Sequence, residues 1–214
     1  MEVLRDTIKK MNKPVKSRSS DRVIRTYDRA RDAFWYIMCR NIKGPIKLNE
    51  HDKYVVRNMI LWLMKDNSCA WDLSKGILLC GSYGVGKSTL MKCAKSYAYH
   101  YAEKDRNFGF VRVNNIVRQV AGNGKISELN TYTTGNYCLD DIGQLIEEVT
   151  IYGSKYHILK TLICERVGKN ITTHGTTNVK PSFFENQYDR MVASRMHEMF
   201  NIVEMESTED HRKE

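Results

Sequence analysis

The stretch Gly76-Ile-Leu-Leu-Cys80, followed by Gly81-Ser-Tyr-Gly-Val-Gly-Lys-Ser88 and Thr89, decides how the rest of this 214-residue chain is read. A short apolar run closed by glycines has the form of a buried parallel strand, and a helical pattern opens at Lys87. The segment between them fits G-x-x-x-x-G-K-[ST] in the strand-to-helix context that identifies a phosphate-binding loop. The chemistry follows from the residue types. Gly81, Gly84 and Gly86 let backbone N–H groups turn inward around phosphates, and the helix aims its positive end at the same point. Ser82, Tyr83 and Val85 complete the loop. Lys87 supplies a point charge, Ser88 offers a hydroxyl to Mg²⁺, and Thr89 is expected near the α-phosphate. ATP with Mg²⁺ is the ligand this pattern implies.

Such a site also needs a second magnesium anchor and a group that orients the attacking water, both at the end of a neighbouring strand. Tyr137-Cys-Leu-Asp-Asp141 provides them. Asp140 is expected to hold Mg²⁺ through its water shell, and Asp141 to orient or deprotonate the nucleophile.

Outward from these two motifs the chain reads as alternating strands and helices. Helical periodicity runs from Asp21 to about Arg40, is broken at Gly44-Pro45, and resumes over about Glu50–Lys65 with Val55, Met59, Trp62 and Leu63 on one face. Trp62 and Met59 are read as core. After the phosphate loop come a helix to about Glu103, a strand Phe108–Val113, a short helix Asn115–Ala121 and the strand that ends in the aspartates. A helix over roughly Lys155–Arg166, a Thr-rich strand Asn170–Thr177, a helix Asp189–Met199 and a last strand Phe200–Met205 follow. Strands alternating with helices of this length predict a parallel sheet covered on both faces. The expected class is therefore α/β, a P-loop NTPase sheet flanked by helices. Residues 1–70 are expected to form a basic helical N-terminal region and residues 71–214 the ATPase domain. About nine residues after the last strand leave no room for a C-terminal lid domain.

Charge is concentrated at one end. The formal net charge is +9, and residues 1–43 hold 12 Lys/Arg against 5 Asp/Glu. A basic arm of this kind suits a phosphate backbone or an acidic protein surface, and equally a solvated helix face. Six cysteines without a C-x-x-C pair argue against a zinc site or a disulfide framework and fit a reduced compartment. No apolar run long enough for a signal peptide or a membrane span occurs, so a cytoplasmic protein is expected.

The run Leu-Asp-Asp-Ile-Gly143, with Ile163-Cys-Glu-Arg166 and Thr172-Thr-His-Gly-Thr-Thr-Asn178, resembles the AAA+ ATPases of the DnaC helicase-loader and IstB transposition-helper group. The resemblance covers about Gly76 to Arg212. It implies that Asn178 senses the γ-phosphate or attacking water. The sequence departs from the family in the preceding His174-Gly175, and His174, inside the strand, is read as a structural histidine. Tyr188-Asp-Arg-Met-Val-Ala-Ser-Arg195 resembles the segment presenting an arginine to the neighbouring subunit's ATP, with Arg195 as the finger and Arg190 as the alternative. Glu209-Asp-His-Arg212 resembles the terminal arginine of the loaders. The implied function is ATP hydrolysis by a homo-oligomer that loads a replicative helicase onto single-stranded DNA. The alternative is a transposition helper that binds duplex DNA and recruits a transposase. A small-molecule kinase shares the loop but has no need of the paired aspartates, the Thr-Asn strand and the late Ser-Arg.

Overall fold

The computed structural model describes residues 23–144, 148–180, 184, 186 and 190–205. The expected helix α1 spans Tyr27–Asn41 and buries Ala30, Ala33, Phe34, Ile37 and Met38, one face at three- and four-residue steps. Helix α2, Glu50–Met64, opens with a capping box: Asn49 accepts from the Asp52 N–H at 2.7 Å, and Asp52 accepts from the Asn49 N–H at 3.3 Å. Strand β1 (Gly76–Cys80) is buried at every position, and α3 (Lys87–Tyr101) follows the loop. Then come β2 (Gly109–Arg112), α4 (Val113–Asn123), β3 (Tyr137–Ile142), β4 (Glu148–Ile151), β5 (Ser154–His157), α5 (Ile158–Gly168), β6 (Thr173–Thr177), α6 (Arg190–Met199) and β7 (Phe200–Glu204).

Five strands form one parallel sheet in the order β2-β3-β6-β1-β7, and β4 and β5 make a separate antiparallel hairpin. Alternation along β1 divides the core in two. Ile77 and Leu79 face Phe34, Met59, Trp62, Met91 and Tyr97 of α1, α2 and α3. Leu78 and Cys80 face the other way, toward Ile116, Leu162, Ile163, Val192 and Met196 of α4, α5 and α6. Helices α1 and α2 thus share one core with the strand that precedes the phosphate loop. The chain enters this body at the far end of α3: the Ile24 N–H donates to the Tyr101 carbonyl at 3.0 Å. Glu103 joins Arg25 and Lys65, each at 2.8 Å, at the same end.

The helix expected over Lys155–Arg166 begins only at Ile158, because residues 154–157 pair with 148–151. The hairpin turns at Tyr152 and Gly153, both at positive φ (48° and 81°), where Asn-Gly would have announced it. The Thr-rich strand is also shorter than expected, since Asn170 lies at φ 51° and ends α5 instead of starting β6.

Two buried polar side chains, Arg166 and His174, organise the sheet. Arg166 is fully buried and donates to the Thr173 hydroxyl at 2.7 Å and to the carbonyls of Tyr132, Gly135 and Thr172, joining the loop before β3 to β6. His174, 1% exposed, packs between Trp62 (5.0 Å, edge-on) and Phe108 (4.4 Å), and its Nδ1 accepts the Ile77 N–H at 3.2 Å. Burial, with Arg106 and Arg166 nearby, pushes the His174 pKa down to about 3. The unfolded chain takes up this proton near pH 6.5, whereas the folded chain resists it until about pH 3. Stability from His174 is therefore complete above about pH 6.5 and is lost as pH falls toward 3. We expect the urea midpoint to fall on acidification with up to about 1.4 kcal/mol per pH unit from this group, and less steeply in His174→Gln. Equal pH slopes in the two proteins would contradict this account.

Candidate nucleotide site

The loop between β1 and α3 has the backbone its glycines allow. Gly86 lies at φ 89° and precedes the first turn of α3. Gly81 lies at φ 150°, and a Cβ there would meet the Met205 carbonyl oxygen at 2.5 Å, so this residue must be glycine for β1 and the end of β7 to close up. Lys87 is 5% exposed, and its Nζ donates to the carbonyls of Gly81 (2.8 Å) and Ser82 (2.7 Å), spanning the loop.

Strand β3 carries both aspartates into the same place. Asp140 is completely buried, and its Oδ1 accepts from the Ser88 hydroxyl at 2.6 Å and the Thr176 hydroxyl at 2.7 Å. Its Oδ2 faces Arg112, whose Nε lies 3.4 Å away and 3.8 Å from Asp141 Oδ2. Asp141 adopts φ 64°, its N–H donates to Thr176 Oγ1 at 3.0 Å, and its Oδ1 accepts from Gln144 at 2.9 Å. The conformation has a cause in the register. Leu139 pairs with Gly175, but Ile142 pairs with Thr177, so Asp140 and Asp141 together oppose the single residue Thr176. This is a β-bulge, with one extra residue in β3. It lets Leu139 and Ile142, three residues apart, enter the same core cluster.

A cavity of about 540 Å³ opens here. It is lined by Lys87, Ser88, Thr89, Asp141 and Asn178, by the segment 41–48 and by Met205. Thr177, the residue before Asn178, donates to the Ile142 carbonyl at 2.8 Å and accepts the Val179 N–H at 3.2 Å, which holds the backbone around Asn178. Arg195 is elsewhere: it is exposed on α6, paired with Glu198 at 2.6 Å, and is not among the residues lining the cavity. Arg190 starts the same helix and is exposed. Arg212 and the basic arm with Lys9, Lys10, Lys13, Lys16 and Arg18 lie outside the described residues.

No protein-family model matches the sequence, and no curated protein matches it. Solved structures do. The chain is similar to the DnaC helicase loader, with a TM-score of 0.58 and 17% identity over 81% of this chain and 98% of that one. It is similar to DnaI, with a TM-score of 0.57 and 17% identity over 78% of this chain and 88% of that one. DnaA from Aquifex aeolicus, bound to AMPPCP, gives a TM-score of 0.52 and 18% identity over 78% of this chain and 50% of that one. The chain shares the fold of these proteins, an α/β architecture built on a parallel five-stranded sheet flanked by helices.

Within this fold, β3 and the end of β6 bring Asp140, Asp141 and Asn178 to the phosphate loop, while α6 keeps Arg195 on the surface. Three features were missed in the sequence. Arg112 is the residue of β2 paired with Asp140, and only strand register reveals it. Thr176 looked like one more β-former in a Thr-rich run. The segment 41–48 read as a breaker between helices, and nothing local in Ile42, Ile46 or Leu48 says that they wall a cavity.

The donor set suits magnesium. Ser88 and Asp140 offer hard oxygen atoms 2.6 Å apart, and no cluster of three or more His, Cys, Asp or Glu suited to a metal occurs among the described residues. An ion that keeps most of its water and leans on substrate phosphates needs no larger cage.

Proposed function

We propose that this chain is an ATP-binding and ATP-hydrolysing accessory protein of DNA replication, acting in the manner of helicase loaders. In this reading it assembles as a homo-oligomer with ATP on single-stranded DNA and engages a replicative helicase. One observation carries the ATPase reading: phosphate-loop residues 84–89, Asp141 and Asn178 line a single cavity, and Asp140 stands behind Ser88, bonded to its hydroxyl at 2.6 Å. The apolar side chains of Ile42, Ile46 and Met205, which also line the cavity, suit a purine base. The overall likeness to the DnaC loader and DnaI supports the replication setting.

Each residue then has a task. The loop N–H groups and Lys87 hold the phosphates, with Lys87 exchanging carbonyl partners for phosphate oxygens. Ser88 and Asp140 would hold Mg²⁺, which when bound neutralises charge between the phosphates. Asp141, set off the strand by the bulge, orients the attacking water, and Asn178 contacts the γ-phosphate side of the cavity. Arg195, exposed on α6, acts on the ATP of an adjacent subunit.

Asp141→Asn is expected to bind ATP as the parent does and to turn over at least tenfold more slowly, about 1.4 kcal/mol or more in the barrier. Phosphate release and nucleotide titration, run side by side, check it; unchanged turnover would remove Asp141 from the chemistry. The loader reading is tested by mass measurement with ATP, with and without single-stranded DNA. A species that forms only with nucleotide and grows with single-stranded DNA is expected. A monomer under all conditions, or a preference for duplex, would turn the reading toward another function, the transposition helper in the second case.

A further inference from the structure

We infer that Thr176 is a positioning residue for the two aspartates: its single hydroxyl sets the Asp140 carboxylate and the Asp141 backbone at once. The inference rests on the ATPase reading above and deepens it.

Strand β6 is buried at all five positions in the middle of the sheet, a place where Val and Ile are the ordinary choice. Here it reads Thr-His-Gly-Thr-Thr. Valine would fill the volume of threonine without introducing a polar atom that needs a partner. Each of the three hydroxyls has a distinct task. Thr173 receives Arg166 at 2.7 Å, and Thr177 donates to the Ile142 carbonyl at 2.8 Å. Thr176 alone among them reaches the aspartates, donating to Asp140 Oδ1 at 2.7 Å and accepting from the Asp141 N–H at 3.0 Å.

The bulge explains why one hydroxyl must do both. Two residues of β3 oppose Thr176, so the ladder cannot satisfy the Asp141 N–H in the regular way. The hydroxyl takes that N–H, which supports a non-glycine residue at φ 64°, a conformation that persists only where the surroundings over-determine it. The same oxygen carries the proton given to Asp140 Oδ1. With Ser88 donating to that oxygen too, the carboxylate is fixed from two sides and its plane is set. Oδ2 is left facing outward toward Arg112. The relation between the ion-holding carboxylate and the water-orienting one thus passes through a side chain that is fully buried and does not line the cavity.

The test compares Thr176→Val, which keeps the shape and removes the hydroxyl, with Thr176→Ser, which keeps the hydroxyl and removes the methyl. Thr176→Val is expected to lose at least tenfold in turnover while binding a fluorescent ATP analogue within about twofold of the parent. Amide exchange at Asp141 should be at least tenfold faster in this variant. Thr176→Ser should recover turnover to within about threefold and restore slow exchange. Three results would overturn the assignment: full turnover by Thr176→Val, equal impairment of both variants, which means that packing matters and the hydroxyl does not, or loss of analogue binding in a folded Thr176→Val. Should Thr176→Val melt below the assay temperature, Thr176→Ser decides alone, since near-parent turnover and exchange support the role and loss of either refutes it. Failure of the parent protein to hydrolyse ATP is a separate outcome; it removes the ATPase reading and this inference with it.

Discussion

Lys87→Ala is expected to lower ATP affinity at least a hundredfold, which corresponds to about 2.8 kcal/mol of binding free energy. The side chain stands inside the loop, 5% exposed, and its Nζ holds the Gly81 and Ser82 carbonyls. Alanine removes the only side-chain ammonium directed at the loop centre from the start of α3, and it also frees the two carbonyls that shape the loop. The sheet should persist. Its core clusters are built from β1, β3, β7 and the helices around them, and Lys87 belongs to neither. Calorimetric titration with ATP and Mg²⁺, together with a far-ultraviolet spectrum and a melting curve, gives the result. Tight ATP binding by a folded Lys87→Ala protein would sink the nucleotide assignment.

Arg195→Ala is expected to bind ATP normally and to hydrolyse it roughly 10³–10⁵-fold more slowly, the size of effect an arginine finger has on phosphoryl transfer. The geometry motivates a partner acting across an interface. Arg195 is exposed, its Nη1 is 2.6 Å from Glu198, and it does not line its own chain's cavity. Release from Glu198 therefore leaves it directed outward. Mixing provides the sharper measurement. Lys87→Ala lacks a working loop but keeps the arginine, and Arg195→Ala keeps the loop. In a mixed oligomer some interfaces pair the intact loop of one subunit with the intact arginine of the next, so two nearly inactive proteins become partly active together. If co-assembly is established and mixing restores nothing, Arg195 acts within its own subunit or only in structure, and the argument for an obligatory oligomer loses its main support.

Much of this was legible because local rules and the global fold agree. The run from Gly76 to Thr89 needs no distant information: apolar strand, glycines and amphipathic helix are all written within a short span. The core face of α2, with Val55, Met59 and Trp62, follows from period alone. What could not be read depends on contacts between distant residues. Arg112 lies beside Asp140 only because β2 pairs with β3. The bulge requires two strands to be compared, since Tyr137–Ile142 taken alone shows no extra residue. His174 was read as structural, but its seat between Trp62 and Phe108 comes from elements on either side of the phosphate loop. The hairpin was missed because Tyr152 occupies a turn position where Asn or Asp is the usual sign.

The strand order has a consequence for how the protein comes into being. Strand β1 lies between β6 and β7, with Leu78 opposite Gly175 and Ile202. Both neighbours are made long after β1 itself, and pairing across such long stretches of chain is slow because loop closure must precede any gain from contact. During synthesis the phosphate loop therefore leaves the ribosome well before the strands that flank it, and it waits without its frame until residues 173–204 have emerged. A ribosome-bound chain halted before β6 should not retain ATP. Nucleotide can then stabilise only the nearly finished molecule, so the ligand favours the last stage of assembly and does not assist the first.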